Sequence, residues 1–485
     1  MVFWRLRGMP RVGALALLVH SILVAAVVVS AAAESTGPPP REGRPNILVL
    51  FSDDQRADTI AALGNPNIRT PNLDRLVRRG TAFTRAYCMG SLQGAVCVPS
   101  RAMLFSGRTL FHAKGDLAGQ TTWPESFAKA GYTTFLTGKW HNQAKSALRS
   151  FDQGKAVFLG GMGDPYKLPL QDISPQHTFV NRRQSGEHSV KLFADAAVEF
   201  LRGQNGPAPF LCCVAFNSPH DPREAPQSFH RWYNAHQPPL PLDFMPRHPF
   251  DNGEMEIRDE KLCPWPRTPD AVRQHLSDYY ACIEFLDEQV GRILAALEAT
   301  GRLGNTLIVF AADHGLAIGS HGLFGKQNLY EHSMRSPLLI AGPGISEGKR
   351  VDALCYLLDI FPTLGDLADV KCPDGSEGRT LAPILAGRQS FAYGSIFTAY
   401  AGVQRAVCDQ RWKLIVYPKI DKSQLFDLQS DPDEMHDLAT DPNHASERNR
   451  LGNLLQEWQK RLDDPQPLAN GAAERNSDTQ EFRHP

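Results

Sequence analysis

The 485-residue chain has no excess charge of either sign: 51 Lys and Arg stand against 52 Asp and Glu, a formal net charge of -1. Nothing in that balance attracts a nucleic-acid backbone or an anionic membrane, so any anion handled here must be held locally. The sequence also lacks Cys-x-x-Cys pairs, Cys/His clusters at zinc-binding spacing and internal repeats, which removes zinc ribbons and repeat architectures from consideration. Beyond residues 12–29, no apolar run approaches the roughly 20 residues that a membrane span needs. What is present is a 42% apolar composition. At about 100–200 residues per domain, the length suggests two or three units with a sizeable core.

The first residues have their own grammar. Arg5, Arg7 and Arg11 precede an apolar run from Val12 to Val29 and then Ser30-Ala31-Ala32-Ala33, the pattern of a secretory signal over residues 1–33. The expectation is a mature chain from about Glu34, exported to the periplasm or secreted. The run exceeds the usual apolar length of about 7–15 residues, so contact with a membrane is expected only if this segment stays uncleaved. Residues 34–45, with Pro38, Pro39 and Pro40, read as a linker. Nine cysteines leave one thiol over if the others pair, as an exported protein permits. Cys212 and Cys213 lie within an apolar run and read equally well as small buried hydrophobes.

Four segments share one pattern, an apolar run ending in polar chemistry. "NILVLF" (46–51) stops at Ser52-Asp53-Asp54, and "TLIVFAADHG" (306–315) reaches Asp313 and His314. "GYTTFLTGKWH" (131–141) ends in Lys139 and His141, and "PFLCCVAFNSPHDP" (209–222) in His220. Runs this short, rich in branched residues, are strands buried on both faces. Helical patterns lie between them, such as "TPNLDRLVRRG" and "LSDYYACIEFLDEQVGRILAALEATG". The fold class is therefore α/β, a mostly parallel central sheet sandwiched by helices. Ligands bind such sheets beyond the carboxyl ends of the strands, which puts these polar residues at one edge. Adjacent Asp53 and Asp54 repel unless a positive group sits between them; with Asp313 they suit a hard divalent cation, Ca²⁺ or Mg²⁺, although His314 adds an imidazole.

In "GAVCVPSRAMLFSG", Pro99 fits a first helical turn, Ser100 to Ser106 a short helix, and Gly107 its end. Cys97 then lies just before a helix N-terminus, where free N–H groups favour an anion and Arg101 adds a cation one turn along. The residues alone leave a structural thiol, a disulfide partner and an activated nucleophile all open.

CVPSR resembles the CxPSR signature of the type I sulfatases, members of the alkaline phosphatase-like superfamily. "SDDQR", "TGKWH", "SPHDP", "AADHG" and Lys326 in "GLFGKQNLYEH" follow in family order. The resemblance spans residues 46–438 and implies a sulfuric ester hydrolase. It implies that Cys97 is modified to formylglycine by a sulfatase-maturing enzyme, with its hydrate as nucleophile. It further implies that Asp53, Asp54, Asp313, His314 and the modified Cys97 hold Ca²⁺, with Mg²⁺ the lesser choice. Family members usually carry Asn at the position of His314, a departure that blurs the metal's identity. By the same resemblance Arg101 and Lys139 hold the formylglycine oxygens and His141 is the base. Lys139, Lys326 and His220 contact the sulfate, and His220 protonates the leaving alcohol. Alternatives of other classes are a phosphate or phosphonate ester hydrolase of the same superfamily and an inactive secreted glycan-binding protein.

The expected organisation is a catalytic domain over 46–385, a smaller antiparallel sheet-plus-helix subdomain over 386–466, closed by an amphipathic helix at 446–464, and a polar tail over 467–485. Substrate choice is expected from two long loops. Residues 142–190 carry "GGMGDPY", His177, Arg182 and Arg183; residues 221–270 carry Arg223, Trp232, Tyr233 and His236. Export and such loops favour a sulfated carbohydrate, and no nucleic acid is expected.

Overall fold

The computed structural model describes residues 43–468. The signal segment, most of the linker and nearly all of the tail lie outside the described residues. Among the described residues no helix is long and apolar enough to cross a membrane.

Eleven strands form the main sheet, and its centre is the four segments that the sequence marks out. Asn46–Ser52 runs parallel to Thr306–Ala312 on one side and to Phe210–Ala215 on the other, and Phe210–Ala215 pairs in parallel with Thr133–Lys139. Antiparallel strands extend both flanks, Arg335–Ala341 beside Thr306–Ala312 and Pro169–Ile173 with Phe179–Gln184 at the far edge. Residues 142–190, expected as a loop, thus contribute three strands (Gln153–Phe158, Pro169–Ile173 and Phe179–Gln184) that widen the sheet. Their alternation is hidden because the last strand is almost wholly exposed and polar.

Every residue of Asn46–Ser52 is buried, and the strand's period of two divides its side chains between two cores. Ile47, Val49 and Phe51 face a core shared with Phe105, Trp123, Phe127 and Phe361. Leu48 and Leu50 face another, with Leu73, Phe193 and Ile283 from the helices Pro71–Arg79, Ser189–Arg202 and Pro269–Ala299. Coverage on both faces is what permits uninterrupted apolar strands. Cys213 and Cys212 fall on the first and second of these faces. All nine thiols are free and only Cys372 is exposed, so the odd count singles out no residue.

The second sheet has five strands. Ser395–Tyr400, Gln404–Asp409, Trp412–Tyr417 and Lys422–Asp427 form an antiparallel meander. The fifth is Gly90–Ser91, seven residues before Cys97 in the chain at its start, pairing in parallel with Ala399 and Tyr400. Two residues carry no periodicity, so this pairing has no sequence signal. The closing helix runs Ala445–Leu462, and Leu451, Leu455, Trp458 and Leu462 make its buried stripe.

Candidate active site

The helix bearing Cys97 spans Cys97–Ser106 and ends at Gly107, whose φ of 69° is the left-handed stop expected there. Cys97 is its first residue rather than the one preceding it. No side chain caps this end, so its first N–H groups remain available to an anion. Cys97 is 3% exposed, and its Sγ lies 3.3 Å from His141 Nδ1. Burial would raise the thiol's pKa, but Lys139, His141, His314 and Lys326 hold it well below a free thiol's value. Negative charge is therefore favoured at this atom.

The carboxylates gather beside it. Oxygens of Asp53, Asp54 and Asp313 lie within 4.8 Å of one another, as do the donor atoms of Cys97, Asp313 and His314. The two central strand ends set this geometry: the Asp53 N–H donates to Ser218 O at 3.1 Å, and the Asp54 N–H to Asp313 Oδ1 at 3.0 Å. Three buried cations answer the three acids. Lys139 Nζ donates to Asp53 Oδ2 at 2.5 Å, and Lys326 Nζ donates to both oxygens of Asp54 at 2.8 Å. Arg101 donates from Nε to Asp313 at 3.2 Å and also to the Lys139 carbonyl at 2.9 Å. Its second terminal nitrogen lies 3.5 Å from Asp53 Oδ1.

These partners leave specific atoms over. Asp53 Oδ1 and His314 Nε2 are buried without a hydrogen-bond partner. His314 Nδ1 donates to Gly315 O at 2.9 Å, so in the neutral ring Nε2 carries the lone pair, and it lies 3.4 Å from Asp54 Oδ1 and 3.7 Å from Asp313 Oδ1. A lone pair facing carboxylate oxygens demands a positive charge between them. The same demand shows in the titration: burial and the adjacent Asp53 push Asp313 up to about 7, and Asp313 and Asp54 overcome burial to raise His314 to about 9. Asp53, next to Lys139, His220 and Arg101, stays well below the usual carboxylate range despite burial. Orphaned oxygen and nitrogen donors around one point fit a divalent cation.

His220 completes the edge. It lies five residues past its strand, its Nδ1 donates to Asp221 O at 2.8 Å, and its Nε2 is 3.7 Å from Asp54 Oδ2. All ten site residues read from the sequence are thus brought together. Sequence reasoning missed the residues that fix them: Ser100, whose hydroxyl donates to Asp313 O at 2.8 Å, and Tyr279, whose hydroxyl donates to Asp54 O at 2.6 Å. It also missed Gly161, where a Cβ would stand 2.6 Å from His141 Nε2. The "GGMG" run was the only available signal for it.

The expected recognition residues fare differently. Tyr233 is fully buried core, and its hydroxyl accepts from the Arg69 N–H. Trp232 stacks with Arg69 and with His236, and Arg183 pairs with Asp172 at 3.0 Å. His177 binds the Leu148 carbonyl. Arg182 is exposed on the edge strand, and Arg223 donates to His275 Nδ1 at 3.2 Å.

The Sulfatase family model matches residues 45–370, and the model for the N-sulphoglucosamine sulphohydrolase C-terminal region matches 319–461. Choline-sulfatase of Rhizobium meliloti is 30% identical over 82% of this chain and 83% of its own. N-acetylglucosamine-6-O-sulfatase of Bacteroides thetaiotaomicron is 27% identical over 87% of this chain and 88% of its own. Among solved structures, one in complex with its substrate D-glucosamine-2-N,6-O-disulfate is similar at a TM-score of 0.72, with 24% identity, covering 87% of this chain and 99% of that one. Phosphonate monoester hydrolase of Agrobacterium radiobacter is similar at 0.70, with 22% identity and coverage of 86% and 96%. The match of the family model over more than half of its length shows that the chain belongs to the sulfatase family of the alkaline phosphatase-like superfamily, and it is a sulfuric ester hydrolase.

Proposed function

We propose that this sulfatase is exported and removes sulfate from sulfated carbohydrate, with Cys97 converted to formylglycine and Ca²⁺ held by Asp53, Asp54, Asp313, His314 and the modified Cys97. The observation that carries this reading is Cys97 at an uncapped helix start, 3.3 Å from an imidazole and beside a carboxylate cluster with orphaned donor atoms. The similarity to an N-acetylglucosamine-6-O-sulfatase and to a structure in complex with D-glucosamine-2-N,6-O-disulfate supports the carbohydrate class.

Charge supports the substrate's sign. Asp53, Asp54 and Asp313 are matched by Lys139, Lys326 and Arg101, so a bound Ca²⁺ gives the site a surplus positive charge that suits a sulfate monoester and its transition state. The hydrated aldehyde supplies a nucleophilic oxygen and a second hydroxyl whose deprotonation releases the sulfate. His141, whose Nδ1 lies 3.3 Å from Cys97 Sγ, takes that proton. Lys139 and Lys326 neutralise charge on the sulfuryl oxygens, and Arg101 and Lys139 orient the nucleophile. His220, its Nδ1–H fixed on the Asp221 carbonyl, presents Nε2 to protonate the leaving alcohol. A thiol or serine at position 97 would lack the second hydroxyl.

Mass spectrometry of the Cys97 peptide, from a host containing the maturing enzyme, tests the modification. The residue should lose about 18 Da, sulfur leaving with two hydrogens as H₂S and oxygen entering. An unmodified thiol in active protein defeats the proposal. Comparison of aryl sulfate with aryl phosphate and phosphonate turnover addresses the neighbouring chemistry, and a panel of sulfated sugars the substrate class.

A further inference from the structure

A second group of metal-ligand type lies apart from the catalytic cluster. Asp243, in the irregular segment after the helix Gln227–Ala235, meets His321 and His332, with one donor atom from each lying within 4.8 Å of the others. The three residues are 6%, 3% and 9% exposed.

Hydrogen bonding fixes what each imidazole presents. His321 Nε2 donates to the Glu434 carbonyl at 3.0 Å, so in the neutral ring Nδ1 carries the lone pair. That Nδ1 stands 3.3 Å from Asp243 Oδ2 and has no hydrogen-bond partner. His332 Nδ1 contacts Ser333 Oγ at 2.9 Å, and its buried Nε2 also has no partner. Burial keeps both rings below the usual histidine pKa, in the ligating form. In the tautomer whose Nδ1 donates to Ser333 Oγ, His332 Nε2 carries a second lone pair, and two lone pairs and a carboxylate in one buried space repel unless a cation lies between them. Of the neighbouring side-chain cations, Arg335 reaches Glu331 at 3.6 Å and keeps a buried Nε without a partner, whereas the other two are fully engaged. Arg56 binds Asp58, Ser320 and two carbonyls, and Lys413 binds Glu331 and Glu434. A cavity of about 150 Å³, lined in part by Asp243, His332 and Arg335, leaves room for water as a further ligand.

We propose that Asp243, His321 and His332 form a second metal site, selective for a zinc-class divalent ion. Two imidazoles and one carboxylate, with water completing a tetrahedron, suit such an ion better than Ca²⁺. The Glu434 carbonyl behind His321 already orients its ring towards Asp243. The consequence lies in the chain: His321 and His332 bracket Lys326, so one ion pins both ends of the segment that delivers Lys326 to Asp54.

Co²⁺ binding to the chelator-stripped full chain tests the site. The wild type and Asp313→Asn, which disables the catalytic cluster, should each show the intense visible absorption of one tetrahedral Co²⁺, and excess Ca²⁺ should not displace it. Asp243→Asn and His332→Gln should each lose that absorption. Absence of the band in wild type, its displacement by Ca²⁺, or its persistence in both variants would overturn the site. Should His332→Gln fail to fold, Asp243→Asn and the Ca²⁺ competition still decide.

Discussion

Two fully buried carboxylate sites in this molecule solve the same electrostatic problem in opposite ways. Asp359 accepts three neutral donors: the Arg379 N–H at 2.7 Å and the Tyr393 hydroxyl at 2.8 Å on Oδ1, and the Tyr356 N–H at 2.8 Å on Oδ2. No oxygen is left over, and burial lifts its pKa to about 7. The carboxylates of the candidate active site instead face Lys139, Arg101 and Lys326 and leave Asp53 Oδ1 and His314 Nε2 unpartnered. A satisfied buried carboxylate holds the fold together, whereas one with orphaned neighbours has capacity reserved for a ligand.

The two sites should differ most at Cys97, the proposed nucleophile. Cys97→Ala should lower aryl sulfate turnover at least about 10³-fold with an unchanged circular dichroism spectrum. Asp359→Asn should leave KM and the Cys97 modification intact. Next, Gly161→Ala should drive a methyl into the His141 ring and lower kcat by about 10–10²-fold with little change in KM, measured by steady-state kinetics. Chelation should then separate the regions thermally. Adding Ca²⁺ back to stripped protein at 100 times its Kd should raise stability by about 2.7 kcal/mol, read as a higher Tm. Asp53→Asn should abolish that response and Asp359→Asn should keep it.

The smallest effect concerns pH. With a native pKa of about 7 and an unfolded value of about 3.9, Asp359 binds more proton in the folded state, so its contribution is full below about pH 4 and is lost as pH rises through 7. Asp359→Asn turns an amide N–H towards the Tyr356 N–H and should destabilise the protein by about 1–3 kcal/mol in acid. It should also flatten the fall in stability between pH 4 and 7 in denaturant titrations. An unchanged slope would assign that pH dependence elsewhere.

Much of the candidate site was legible because its chemistry follows directly on local pattern. Asp53, Lys139 and Asp313 sit at the carboxyl ends of buried strands, and a parallel sheet brings such ends to one edge. The expected recognition loops were less legible. Aromatic and basic residues in a proline-rich segment look alike whether they face a ligand or, as Tyr233 does, the core. The edge strands at 169–184 were hidden because exposure removes the apolar alternation that marks a strand.

The sequence by itself determined the α/β class, the strand ends and the residue types that meet there, because each is written in a few contiguous positions through period, breakers and motif. Only the tertiary structure decided that Lys326 chelates Asp54 across 272 positions, that Arg101 is wedged between Asp53 and Asp313, and that Gly161 abuts His141. It likewise placed Gly90–Ser91 in the smaller sheet and turned His321 and His332 on Asp243. These are contacts between residues distant in the chain, fixed by close packing and by the need of every buried polar atom for a partner, and neither constraint leaves a periodic trace in the sequence.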